Sequence, residues 1–88
     1  MHSKKARYYY QIDYIDVDRF ANYIDTFTSR QRKKAIERVN ILNKANQCIN
    51  RNTYYVLDKY INVDDDDTKI IEADITNAEL FTKYYKEN

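Results

Sequence analysis

This chain of 88 residues contains neither glycine nor proline. Average usage of the two is about 7% and 5%, and they are the usual makers of tight turns. Glycine reaches positive φ without steric cost, and proline presets φ near the value a turn needs. Reversals in this chain must instead use Asn, Asp and Ser, whose side chains bond nearby backbone groups and, for Asn and Asp, tolerate left-handed conformations. Without glycine the familiar phosphate-cradling loops are also ruled out, as is the calcium loop of an EF-hand.

Hydrophobic residues make up 43% of the chain, which places it among globular rather than disordered sequences and near the lower size for a self-sufficient single domain. No run approaches the ~20 apolar residues of a membrane span, and no apolar stretch follows Lys4 and Lys5 to make a signal peptide. The lone cysteine, Cys48, has no internal partner for a disulfide, which supports a cytoplasmic location, and on a predicted helix it reads as a small core residue. Tyr, Ile, Lys, Asn and Asp are all favoured by AT-rich coding, a composition shared with small accessory proteins of AT-rich phages and mobile elements.

Residues 1–6 read as a flexible basic tail, and residues 7–88 as one domain. Residues 7–15 are rich in strand formers, with Tyr8, Tyr10, Ile12 and Tyr14 on the better core face and Tyr9, Gln11, Asp13 and Ile15 on the other. Asp16 or Asp18 is placed to cap a short helix in which Val17, Phe20, Ile24 and Phe27 (or Tyr23) recur at helical spacing, ending near residues 26–28. Ser29 then caps a longer helix to about Asn50, with an apolar stripe of Ala35, Ile36, Val39, Leu42, Ala45 and Ile49. Residues 53–63 read as a strand, although Tyr54, Leu57 and Ile61 also fit a helix. With residues 68–75 this segment forms a hairpin whose tip is Asp64–Asp67. A final helix is expected over Ala78–Lys86. The predicted fold is therefore α+β, in the order β-α-α-β-β-α, an antiparallel sheet with helices on one face.

Charge is segregated along this plan. Residues 26–51 carry seven basic side chains against the single acid Glu37, and residues 52–88 carry nine acids against four bases. Arg30, Arg32, Lys33, Lys34 and Arg38 crowd the start of the long helix, where the backbone dipole favours anions and disfavours cations by a few tenths of a kcal/mol each. A charged helix face is by default merely solvated. Here the near-absence of acids at i,i+4 and the conflict with the dipole favour a surface for an anionic partner, with Lys44 further along. Tyr9 and Tyr54, set opposite the core faces of their strands, are the candidates for stacking on bases or for anchoring a protein interface.

Asp13, Asp16 and Asp18 read as turn and cap residues, and Asp64–Asp67 lacks calcium-loop spacing, so no metal is expected. His2 lies in the predicted tail and Cys48 has no plausible histidine partner, so no catalytic residue and no cofactor are expected. The chain reads as a non-catalytic binding protein using the basic helix face against nucleic acid, RNA in preference to DNA, or against a nucleoprotein enzyme. The alternative is a phage-type inhibitor that blocks a host defence or toxin enzyme through protein–protein contacts. A third reading is a homo-oligomer pairing the basic helix with the acidic half of a neighbour.

Overall fold

The computed structural model describes residues 7–47, 49–50, 52–64 and 67–75. Within them the chain runs β1 (Arg7–Ile15), β2 (Ala21–Thr28), α1 (Arg32–Gln47), β3 (Tyr54–Asp64) and β4 (Asp67–Glu72). The strands form one antiparallel sheet in the order β2-β1-β3-β4, and α1 packs on one of its faces. The α+β class and the strands β1 and β3 agree with expectation, and the last strand is present but ends at Glu72 and not at residue 75. The basic tail at residues 1–6, Cys48 and the expected helix at Ala78–Lys86 lie outside the described residues.

The expected first helix is corrected: residues 21–28 are strand, so the described order is β-β-α-β-β. The helical spacing of Val17, Phe20, Ile24 and Phe27 marks no buried stripe, since Val17 is 60% exposed and Phe20 69% exposed at the β1–β2 connection. Tyr23, Ile24, Thr26, Phe27 and Thr28 are strand formers, and the local preference prevails. Asp16 makes the reversal. Its Oδ1 accepts the N–H groups of Asp18 and Phe20 at 3.0 Å each, and its Oδ2 accepts Asn22 Nδ2 at 3.1 Å. These bonds hold its carboxyl below the usual range. Arg19 takes the left-handed position with φ 70, a place where glycine would be usual.

Strand pairing sorts the side chains. Tyr10, Ile12 and Leu57 face α1 and form the core with Ala35, Val39 and Ile75, flanked by Phe27, Ile36, Leu42 and Tyr55. On α1 the buried stripe is shorter than the sequence suggests: Ala45 is exposed, and Ile49, beyond the end of α1, is 85% exposed. Here α1 ends at Gln47, and its last turns attach to β3 by polar contacts instead.

Those contacts take the place of a strand. β4 pairs with β3 only from Lys59 onward, and among the described residues no strand pairs with the first part of β3 on that side. There Asn43 Oδ1 accepts the N–H of Tyr55 at 2.7 Å, and Asn43 Nδ2 donates to the Tyr55 carbonyl at 2.9 Å. One side-chain amide thus satisfies both backbone groups of one strand residue. A turn later Asn46 Nδ2 donates to the carbonyl and hydroxyl of buried Thr53 at 2.8 and 3.0 Å. Similar bonds occupy the outer edge of β2, where alternate N–H groups point away from β1. Thr26 N–H donates to Asp25 Oδ1 at 2.8 Å and Thr28 N–H to Gln31 Oε1 at 2.9 Å.

Candidate functional site

The start of α1 is fixed by a reciprocal pair. Thr28 N–H donates to the Gln31 side chain, and Gln31 N–H donates to the Thr28 carbonyl at 3.0 Å. These two bonds close the turn before α1, and the cap position expected of Ser29 falls instead on Gln31, whose carbonyl accepts the first helical bond from the N–H of Ala35 at 2.9 Å. Ser29 and Arg30 lie exposed in the intervening turn. The first turn of α1 contains no acid. Arg30, Lys33, Lys34 and Arg38 are all exposed, and among the described residues they make no ion pair.

Arg32 behaves differently. Its guanidinium donates to the Tyr10 hydroxyl at 3.1 Å, pairs with Glu72 at 3.2 Å, and lies 5.6 Å from the centre of the Tyr10 ring. It braces α1 to β1 and β4 and is half-buried in doing so. Lys59 from β3 adds its ammonium over the Tyr8 and Tyr10 rings at 5.4 and 5.5 Å. The remaining cations divide between two flanks, since successive helix residues are turned by about 100°. Lys34 and Arg38 border an open groove of about 400 Å³ against Asp25, Phe27 and Ile41 of β2 and α1. Lys33 lies on the other flank, beside Arg32 and Ile36. Lys44 is exposed in the last turn, where the dipole favours it.

Tyr9 and Tyr54 both lie on the sheet face away from α1, as their alternation predicts, but at opposite ends of it. Tyr9 pairs with Tyr60 of β3, whereas Tyr54 pairs with Ile15. Six strand residues separate the two positions, about 20 Å. Tyr9 and Tyr60 stack with ring centres 5.2 Å apart and planes 7° from parallel. Arg7, two residues before Tyr9 on the same face, is exposed. Sequence reading missed both Tyr60 and Arg7. The two-residue alternation from Tyr54 reaches Tyr60, but only the β1–β3 register brings it to Tyr9.

Between the two ends this face is acidic. Asp13 and Asp58 are buried within it, and Asp58 Oδ1 accepts the N–H of Asp74 at 2.8 Å. Burial pushes the Asp58 carboxyl above its ordinary range, and the neighbouring charges of Asp13 and Asp74 add to this against the Asp74 hydrogen bond. Burial also raises the Tyr60 phenol, helped by Asp13, Asp58 and Tyr9. Among the described residues no group of three or more His, Cys, Asp or Glu could hold a metal ion. No helix among them is long and apolar enough to cross a membrane.

Comparison of the chain with protein-family models, with curated proteins and with solved structures finds no match in any of the three.

Proposed function

We propose that this protein binds nucleic acid without catalysing a reaction on it, RNA in preference to DNA, through the cations around the start of α1. One observation carries the reading. Arg30, Lys33 and Lys34 are exposed at a helix N-terminus that disfavours them, with exposed Arg38 a further turn along, and no acid of the first turn offsets them. Arg32 and Lys59, by contrast, have structural contacts that account for their presence. Exposed cations gathered on both flanks of one helix end neutralise phosphates and release their counterions, which gives affinity a steep salt dependence.

Replacing Lys33, Lys34 and Arg38 with Ala tests this while leaving Arg32 in place. Binding of a labelled RNA should weaken, and the slope of log affinity against log salt should fall by about 2 if three single-strand phosphate contacts are lost. Unchanged affinity and slope in the variant would remove the reading.

The α1–β2 groove favours a second reading, an inhibitor that binds a protein. Lys34 and Arg38 there face Asp25 and Glu37 beside exposed Ile41, a mixed surface better suited to a protein than to a polyanion.

A further inference from the structure

The geometry points to single-stranded nucleic acid as the ligand, with a base stacking on the Tyr9–Tyr60 pair while Arg7 and the α1 cations hold the phosphates. This rests on the nucleic-acid reading above and adds a second element of the surface, on the other face of the sheet. Three observations place the two elements at one end of the molecule. Tyr9 is the register partner of Thr28, and Arg30 follows only two residues after Thr28. Arg7 flanks Tyr9 on the same strand face, about 7 Å along the strand. An open groove of about 470 Å³ is lined by Arg7, Tyr8 and Tyr9 of β1 and by Thr28 and Ser29, so it reaches from Tyr9 to the residue before Arg30.

The stacked pair suits a base. The two rings are stacked on one another, so a base adds to the pair as a further ring on an outer face, and stacking accepts any base because every base has a π-face. A duplex keeps its bases stacked on one another and offers no free face, so the platform selects for unpaired strands. Charge decides where along the sheet the strand runs. Farther along this face stand the buried carboxylates Asp13 and Asp58, which repel phosphate, and Tyr54 lies beyond them at the opposite end. The strand therefore meets Tyr9 and Tyr60, leaves around the Ser29–Arg30 turn toward Lys34 on the β2 flank of α1, and does not reach Tyr54.

Fluorescence anisotropy with three labelled probes separates the contributions: an oligouridylate of about 12 nucleotides, an abasic ribose-phosphate strand of that length, and an RNA duplex. Tyr9→Leu should weaken oligouridylate binding about tenfold and leave the abasic strand and the duplex unchanged. Tyr9→Phe, which keeps the ring, should match the wild type, and Tyr54→Leu should be silent with all three probes. The Lys33, Lys34 and Arg38 triple variant should weaken every probe. If Tyr9→Leu binds oligouridylate as the wild type does while the triple variant is impaired, the stacking platform is overturned and the cationic surface stands. A Tyr54→Leu loss equal to that of Tyr9→Leu overturns the path along the sheet. Failure of the wild type to bind any probe overturns both.

Discussion

The two ends of this sheet are held by different chemistry. Near the start of β3 and the end of α1, polar side chains are consumed by the backbone. Asn43 and Asn46 bind Tyr55 and Thr53, and at the β1–β2 connection Asp16 ties together Asp18, Phe20 and Asn22. At the other end, where β1 begins and α1 starts, Arg7, Arg30, Lys33 and Lys34 are exposed and Tyr9 stacks on Tyr60. The polar side chains named at the first end serve the fold, and the second, Gln31 and Arg32 apart, carries side chains whose presence folding does not explain. Substitutions at the first should change stability, and substitutions at the second should change binding.

The largest effect is expected at Asn43. Asn43→Ala removes both hydrogen bonds to the Tyr55 backbone and leaves a half-buried donor and acceptor without protein partners. The cost should be about 2 kcal/mol, which for a domain of this size lowers the melting temperature by roughly 10 °C. Asn43→Asp keeps the acceptor for the Tyr55 N–H but aims a second oxygen at its carbonyl, so it should rescue little. Thermal unfolding followed by circular dichroism measures both. A melting temperature within a degree or two of the wild type for Asn43→Ala would mean that the edge of β3 is satisfied by other means.

That contact illustrates what a sequence can and cannot convey. The β1 strand was legible because its tyrosines and isoleucines alternate without interruption, and α1 because Ala35, Ile36, Val39 and Leu42 recur at helical spacing. β2 was not legible, for a reason specific to it. A bulge at Ile24 lets Ile12 pair with Asp25 and Asp13 pair with Tyr23. Tyr23 and Asp25 therefore lie on opposite faces, and the period of two that would announce a strand is broken. The roles of Asn43 and Asn46 were hidden because an asparagine on a helix reads as a solvated polar residue until the facing strand is known. At the candidate site the exposure of Lys33, Lys34 and Arg38 followed from the apolar stripe on the other side of α1. The brace from Arg32 to Glu72 did not, since its partner lies 40 residues away in sequence.

Reversing charge at the start of α1 sharpens the contrast from the other side. Lys33→Glu and Lys34→Glu together place two acids where the dipole favours them, so stability should rise by about 0.5–1.5 kcal/mol at low salt while RNA binding is lost. Opposite signs in the two measurements are the result expected of residues kept for binding. A fall in stability would show instead that these lysines support the fold, and the division between the two ends would fail.

The smallest effect is expected midway between the ends, at Asp58. An aspartate whose folded pKa is raised above its ordinary value of 3.8 binds its proton more readily in the folded than in the unfolded chain. Its charged form therefore subtracts stability at neutral pH, and the loss is recovered as pH falls through the raised value toward 3.8. Asp58→Asn retains an oxygen to accept the Asp74 N–H and removes the charge beside Asp13 and Asp74. The variant should melt above the wild type at pH 7, and the gap should close as pH is lowered, because the wild-type carboxyl then neutralises itself. The converse result, a variant less stable at pH 7, would mean that the charged carboxylate strengthens its bond to the Asp74 N–H by more than burial and its neighbours cost. Asp58 would then belong with Asn43 and Asn46, as a third side chain whose contact with the backbone holds β3 in place.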